Sequence, residues 1–496
     1  MICVSLGRTR HSMMVAEHQA LAQRGAELVE LRLDWLSKTP ELNRLLAERP
    51  SPVVVTCRRP IDGGRSKMTE DQRQTLLRHA IVAGVEYVDI EDDIATKIRR
   101  YGKTKRIVSY HDFNGTPSTL EERYAQMCLL DADIIKIVTM AQSPRDNIRL
   151  LQLVQGAKIP TIAFCMGEFG LVSRVLCGKY GAPFTYATFS SDRVLAPGQL
   201  SFEEMKNLYR FDQINEQTKV FGVLGDPIVQ SYSPRIHNAA FKADGLNAVY
   251  LPMRVPAEEL DETLQAYSWL DVQGYSVTIP HKERVMKLAN FRDDIVEDIG
   301  AANTLFRDNR NNWYAANTDF DAALSSIKMG LEMKQDAELA GKRVLLLGAG
   351  GVAKAVGQGV LRAGAALTIT NRTKSRGQEL ATHLGCQFVA WENRGAAYVD
   401  VLVNCTPIGM YPNMNDTPFQ DNWLREGTVV FDTIYNPEQT LLIKQAKERG
   451  CHVVSGLEMF VAQAAAQYHC FTRQAAPIEI MREALRRGIS AVRTVE

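Results

Sequence analysis

Short apolar runs alternate with amphipathic stretches through the first 210 residues of this chain. The runs are Ile2–Gly7, Leu28–Asp34, Pro52–Arg58, Tyr87–Asp92, Arg106–Asp112, Asp133–Met140, Pro160–Met166 and Pro183–Phe189. Segments with helical spacing lie between them, among them Glu70–Gly84, Thr119–Leu130 and Ser143–Gly156. Eight apolar strands alternating with helices predict an α/β fold, a (β/α)8 TIM barrel over residues 1–210. The polar stretch Phe211–Thr218 reads as a linker. A strand pattern resumes at Lys219–Leu224, and another at Gly341–Gly348 opens directly into a glycine-rich turn.

Length and composition change this picture little. The 496 residues fit two to four domains. A formal charge of +1 gives no reason to expect a nucleic-acid or membrane partner. The nine cysteines are scattered without a Cys-x-x-Cys pair, and the N-terminus has no secretory signal pattern, so a cytoplasmic protein with reduced thiols is expected. No apolar run approaches the roughly 18 residues of a membrane span.

The ends of barrel strands are where chemistry gathers. Ser5, Glu30, Arg32, Arg58, Glu91, His111, Lys136, Met166 and Arg174 lie in or just after the runs. Lys136 interrupts the apolar strand Asp133–Met140. It reads either as a snorkelling lysine at the barrel rim or as an amine that condenses with a carbonyl. Held among cations and apolar walls, its pKa would fall and it would be nucleophilic near neutrality. A histidine on the adjacent strand can move protons at the same pH.

Glu30-Leu-Arg-Leu-Asp34, Ser109-Tyr-His-Asp-Phe113, the strand around Lys136, Ser173-Arg174 and Ala196-Pro-Gly-Gln199 together resemble type I 3-dehydroquinate dehydratase over Met1–Arg210. The resemblance implies that Lys136 forms a Schiff base with the substrate ketone. His111 would take the proton alpha to the imine and later protonate the leaving hydroxyl. Arg174 would bind the carboxylate, and Ser5, Glu30, Arg32, Arg58 and Gln199 the rest of the ring. It implies no cofactor for this half and no metal. Two positions depart from the family pattern. Asp62 replaces the usual glutamate that orients the histidine, and Leu195 replaces a serine of the loop over the site.

In the second half, Gly348-Ala349-Gly350-Gly351-Val352-Ala353 follows a strand and opens a helix, as a dinucleotide turn does. Beyond the next strand stand Asn371, Arg372, Thr373, Lys374 and Arg376, with no acidic residue to hold a ribose 2′-hydroxyl. This favours NADP(H) over NAD(H). A solvated basic turn is the alternative. Lys282 and Asp319, taken alone, could be an ordinary salt bridge.

Gly225-Asp-Pro-Ile-Val-Gln-Ser-Tyr-Ser-Pro234, Ser276-Val-Thr-Ile-Pro-His-Lys282, Gly300–Thr304, Asn317-Thr-Asp319, Asn404–Gly409, Asp432–Tyr435 and Gly456–Gln463 closely resemble shikimate dehydrogenase over Lys219–Arg487. The resemblance implies a substrate domain over 219–322, with helices in 457–490 packing back, and a Rossmann NADP domain over 323–456. Lys282 would donate a proton to the ketone oxygen, with Asp319 holding its ammonium. Ser231 and Ser233 would grip the carboxylate, and Thr278, Asn303, Tyr435 and Gln463 the ring hydroxyls. Thr433 and Gly456 would line the nicotinamide end.

The two resemblances imply a bifunctional enzyme that dehydrates 3-dehydroquinate to 3-dehydroshikimate and reduces that to shikimate. Its partners would be these small molecules, its state a monomer or homodimer. Three other readings stay open. The second half could prefer quinate, although Ser233 argues for shikimate; the barrel could be a non-catalytic scaffold; or it could be a class I aldolase.

Overall fold

The computed structural model describes residues 1–228, 231–335 and 338–490, so Val229 and Gln230 of the Gly225–Pro234 motif lie outside the described residues. The chain divides into two compact units, Met1–Ser231 with Asn247–Val272, and Tyr232–Leu246 with Gln273–Glu496. Among the described residues no helix is long and apolar enough to cross a membrane.

In the first unit, the eight predicted runs form β1 (Ile2–Leu6), β2 (Leu28–Arg32), β3 (Val53–Thr56), β4 (Tyr87–Glu91), β5 (Lys105–Asp112), β6 (Ile134–Met140), β7 (Thr161–Met166) and β8 (Thr185–Thr188). All pair in parallel, in the order β7-β6-β5-β4-β3-β2-β1-β8, so β1 joins β8. No ladder joins β7 to β8 among the described residues, and the barrel is nearly closed.

The helices Glu70–Val82, Leu120–Met127 and Asp146–Gln155 follow β3, β5 and β6. The first begins with a reciprocal cap: Thr69 Oγ1 accepts from the Gln72 amide at 3.3 Å, and Gln72 Oε1 from the Thr69 amide at 3.0 Å. Strict alternation fails after β4, where the short connection holds only the 3-10 turn Asp92–Ile94.

Side-chain alternation along the strands sorts the barrel interior into layers. Cys3, Leu28, Val54, Ile107, Ile134, Ile162 and Phe184 belong to one buried apolar cluster. Two residues further along their strands, the same inward face carries Ser5, Glu30, Thr56, Ser109, Lys136, Phe164 and Tyr186. An apolar plug thus underlies a largely polar belt on the side where the strands end.

The first unit also holds the parallel pair β9 (Lys219–Gly225) and β10 (Ala248–Arg254). The segment after β10 packs on the barrel: Trp269 stacks on Tyr180 at 4.5 Å, and the Tyr267 hydroxyl donates to the Pro144 carbonyl at 3.2 Å.

In the second unit, β11 (Val272–Val277), β13 (Thr304–Arg307) and β14 (Trp313–Ala316) form an antiparallel ladder, with β12 (Phe291–Arg292) parallel to β14. A separate parallel sheet comprises β15 (Arg343–Leu347), β16 (Ala366–Thr370), β17 (Gln387–Phe388), β18 (Val401–Asn404), β19 (Val429–Asp432) and β20 (His452–Ser455). Its order is β17-β16-β15-β18-β19-β20, the doubly wound arrangement in which the strand order reverses beside the first strand. Leu345, Leu347, Leu402 and Val430 pack on one face; Val344, Leu346, Val403 and Phe431 pack on the other.

Candidate active sites

The barrel belt lines one pocket. Ser5, Glu30, Arg32, Arg58, His111, Lys136, Arg174 and Gln199 all face it, although they come from four strands, one helix and two loops. The register explains the placement of the central pair. Lys136 is level with Ser109 on β5, so His111 stands two residues further toward the strand ends on the same inward face.

Lys136 does not sit among cations, as the sequence suggested. Its ammonium lies 3.0 Å from Asp89 and 3.8 Å from Glu30, and 3.9 Å from the centroid of the Tyr186 ring. The strand Tyr87-Val-Asp-Ile-Glu91 turns both acids inward, which its period-2 spacing could have revealed. Asp89 also accepts from Arg58 at 2.8 Å and from Ser109 at 2.6 Å. Burial opposes its ionisation, but Arg58 and Lys136 hold its carboxyl far below the usual range. Arg58 reaches Glu91 at 3.1 Å, and Arg73 holds the other Glu91 oxygen at 2.7 Å. Glu30 accepts from Ser5 at 2.5 Å and from Thr56 at 2.8 Å, and Arg32 forms a fork with Asp34 at 2.9 Å.

Two side chains at this pocket each leave one buried nitrogen without a hydrogen-bond partner among the described residues. Burial, then Arg58 and Lys136, drive the His111 pKa well below 6.5, so the ring is neutral at pH 7; its Nδ1 has no hydrogen-bond partner. Arg174 is 1% exposed, and among the described residues its Nε has no hydrogen-bond partner and no carboxylate faces it. Burial pulls its pKa down to about 10. It lies over the Phe164 ring at 4.4 Å. A buried guanidinium without a counter-ion is costly, and an anionic ligand would remove that cost.

The two departures acquire physical form. The Asp62 carboxylate accepts from Arg59 at 2.6 Å, while His111 Nδ1 remains unbonded. Leu195 lines the pocket and packs toward Gly7 and Trp35; a Cβ on Gly7 would lie 2.8 Å from both side chains. Gln199 Oε1 takes the Leu195 and Ala196 amides at 2.8 and 3.1 Å, so this residue shapes the loop it belongs to.

In the second unit, Lys282 Nζ donates to Asp319 Oδ2 at 2.6 Å. The loops bearing them are braced. The Ala302 amide donates to the Lys282 carbonyl at 2.8 Å, and Asn317 Oδ1 caps the Asp319 amide at 3.2 Å. Asn303 is largely buried: its Oδ1 accepts from the Thr318 amide and the Thr304 hydroxyl, both at 2.8 Å, and its Nδ2 donates to Thr318 Oγ1 at 3.0 Å. It therefore ties β13 to the start of the helix Thr318–Gly330 that carries Asp319.

Tyr435 packs edge-on to Tyr232 and against Phe460, and Gln463 Nε2 donates to the Phe460 carbonyl at 3.1 Å. Thr278 precedes Lys282 by one turn, its carbonyl taking the His281 amide at 2.9 Å. Ser233 is buried at the head of the helix Ser233–Ala243, and Ser231 closes the first unit, its amide bonded to the Ile228 carbonyl at 3.0 Å. The sequence reading missed Gln467, which accepts from Ser276 at 2.6 Å and donates to the Asn303 carbonyl at 3.2 Å.

After β15, Gly348 adopts φ +112°. A Cβ there would meet the Cys405 carbonyl oxygen at 2.9 Å, so only glycine fits both the conformation and the space. Gly350 and Gly351 face open space, and the helix Gly351–Arg362 starts there without a side-chain cap. Asn371 Nδ2 holds the Thr373 carbonyl at 2.8 Å, which shapes the loop after β16. Arg372, Lys374 and Arg376 are exposed. Thr433 bonds the Asn404 carbonyl through its amide and its hydroxyl, at 3.0 and 2.9 Å. A Cβ on Gly456 would press on the Thr433 carbonyl oxygen at 2.4 Å, so this glycine is required by packing.

Family models match the chain in sequence order. Residues 2–216 match type I 3-dehydroquinase, and 223–305 the shikimate dehydrogenase substrate binding domain. Residues 331–407 match shikimate / quinate 5-dehydrogenase, and 456–486 the shikimate 5'-dehydrogenase C-terminal domain. The chloroplastic bifunctional 3-dehydroquinate dehydratase/shikimate dehydrogenase of Arabidopsis thaliana is 37% identical over 97% of this chain and 83% of its own. The shikimate dehydrogenase (NADP(+)) of Moorella thermoacetica is 36% identical over 56% of this chain and 96% of its own. The shikimate 5-dehydrogenase of Thermus thermophilus, solved with NADP(H) and shikimate, superposes with a TM-score of 0.50 at 29% identity, over 55% of this chain and 100% of that one. With both halves matched in order and a two-part relative aligned along nearly the whole of this chain, the chain belongs to the bifunctional 3-dehydroquinate dehydratase/shikimate dehydrogenase family.

Proposed function

We propose that the barrel dehydrates 3-dehydroquinate and that the second half reduces the product to shikimate with NADPH. The observation that carries the first step is the convergence of Lys136, His111 and the unpaired Arg174 on one pocket. Arg174 binds the ring carboxylate and so fixes which carbon faces Lys136. The Lys136 amine adds to the ketone, and loss of water leaves an iminium. The iminium draws electrons from the neighbouring C–H, and neutral His111 takes that proton. The hydroxyl then leaves as water, with its proton returned by His111. Water hydrolyses the imine, which frees 3-dehydroshikimate and the amine. Asp89 neutralises Lys136 between turnovers and holds its stem upright.

The second step rests on the Lys282–Asp319 pair. Lys282 gives a proton to the ketone oxygen while Asp319 keeps the ammonium aimed. Ser231 and Ser233 take the carboxylate, and Thr278, Asn303, Tyr435 and Gln463 the ring. The cofactor site fits NADP(H): the open Gly350–Gly351 turn would take the pyrophosphate, and Asn371, Arg372, Thr373 and Arg376 the 2′-phosphate. Ala349 and Val352 belong to the same turn, and Thr433 and Gly456 to the nicotinamide end. Bound there, the nicotinamide supplies the hydride.

A cytoplasmic setting suits the nine unpaired cysteines, although the plant relative is chloroplastic. The whole reading is tested by supplying 3-dehydroquinate and NADPH and following NADPH absorbance. Lys136→Ala should abolish the coupled signal, with added 3-dehydroshikimate restoring it; Lys282→Ala should abolish it without restoration. A borohydride-trapped substrate adduct anywhere but on Lys136 would refute the barrel mechanism. The same adduct on Lys136 would exclude a scaffold role.

A further inference from the structure

Asp432 ends β19 with no solvent exposure and no cation beside it. Its carboxylate takes three donors instead. Oδ1 accepts from Asn404 Nδ2 at 3.0 Å and from the Ile434 amide at 3.1 Å; Oδ2 accepts from the Thr440 hydroxyl at 2.7 Å. Asn404 is its ladder partner on β18. The Asn404 side chain in turn accepts from the Thr406 amide at 2.9 Å and the Thr406 hydroxyl at 2.7 Å. The Cys405–Thr406 segment is what Gly348 packs against. On the other side, Thr433 and Ile434 form the surface against which Gly456 begins its helix.

We propose that Asp432 is a positioning residue for the nicotinamide cofactor. It pins the loop after β18 and the loop after β19, and through the first it sets the glycine turn after β15. This inference rests on the cofactor reading above and adds a residue that does not touch the cofactor. The residue type matters. An acceptor-only group can receive three donors at once, whereas an alanine leaves Asn404, Ile434 and Thr440 with buried donors unmet. The loops then relax to find other partners, and the turn loses its support. Burial pushes the Asp432 carboxyl up to about 6, a cost tolerated at this position.

The test is equilibrium titration of the full chain with NADPH, followed by nucleotide fluorescence without any ring substrate. Asp432→Ala should weaken NADPH binding about tenfold, the loss of one well-made buried bond set. Asp432→Asn can keep Oδ1 on its two donors and gives up only the bond from the Thr440 hydroxyl, so it should weaken NADPH clearly less than the alanine variant does. A circular-dichroism melt that keeps the second unit's unfolding transition reports that the mutated unit is folded. Should Asp432→Ala fail that control, Thr440→Val removes the Oδ2 donor together with the cap on the Ile443 amide, and should weaken NADPH measurably while Thr440→Ser, which keeps both bonds, restores it. Affinity equal to the parent in the folded alanine variant, or in Thr440→Val where alanine does not fold, would overturn the proposal and leave Asp432 a fold-stabilising group. Failure of the parent itself to bind NADPH would instead sink the cofactor reading.

Discussion

The Lys136 ammonium and the Asp89 carboxylate meet at 3.0 Å inside the barrel, on strands β6 and β4 that are not neighbours. The strand between them contributes Ser109, which bonds the same carboxylate. Removing the charge should misplace the amine and leave Arg58 and Lys136 in excess. Asp89→Asn is expected to lower the dehydratase kcat by about 10²-fold through misalignment. Urea melts should show a loss of a few kcal/mol, about 3 for a broken buried pair. Shikimate oxidation by the same sample supplies the internal control.

Arg174 makes the opposite prediction for stability. It is buried with no counter-ion, so the folded chain bears a cost that an apolar residue would lift. Arg174→Met should raise the melting temperature and raise the 3-dehydroquinate KM by at least about tenfold, as expected for one lost charged bond. Calorimetry beside steady-state kinetics checks both. A lower melting temperature would show that Arg174 has a partner in solution.

Lys282 and Asp319 should act as a unit. Each single change, Lys282→Ala or Asp319→Asn, should reduce shikimate dehydrogenase kcat by about 10²-fold or more. The double variant should be little worse than either single one, because the second change removes an interaction already lost. Full additivity in the double-mutant cycle would mean that the 2.6 Å contact does not operate in turnover.

The dehydratase pH profile follows from His111. Its pKa is depressed by burial and by Arg58 and Lys136, so the ring stays neutral as pH falls through 6.5. The acid limb of kcat/KM should therefore lie well below pH 6.5. Stability has its own window. Burial and Arg49 lower His18 from 6.5 to about 4. The unfolded chain takes up this proton first, so the contribution is full above pH 6.5 and is lost as pH falls toward 4. His18→Gln should flatten the dependence of melting temperature on pH across that interval.

Cofactor choice should reside in Arg372 and Arg376. Changing both to alanine should raise the NADPH KM by about tenfold or more, since each charged bond to a 2′-phosphate is worth about 1.5–3 kcal/mol. The NADH KM should hardly move. Added salt should weaken NADPH binding in the parent more than in the variant, because these side chains are exposed.

Much of this molecule was legible in one dimension. Each barrel strand lies within two residues of its apolar run, because a strand buried on both faces needs an unbroken apolar sequence. Glu30, Arg32, Arg58, His111 and Lys136 stood out because charges in or just after such strands are expensive, the family resemblance supplied Gln199, and all eight proposed site residues face one pocket. The glycine turn was legible for a similar reason: only glycine takes φ +112° against a carbonyl. The missing helix after β4 was not, since alternation was extended there by pattern alone.

The sequence by itself determined the order of the elements and which residue types carry chemistry, since burial and backbone sterics act locally. Only the tertiary structure decided who meets whom. It set Asp89 rather than a cation against Lys136, gave Asp62 to Arg59 rather than to His111, and brought Lys282 to Asp319 across 37 residues. Electrostatics depends on distance through space, and strand register and loop closure fix that distance in ways no local pattern encodes.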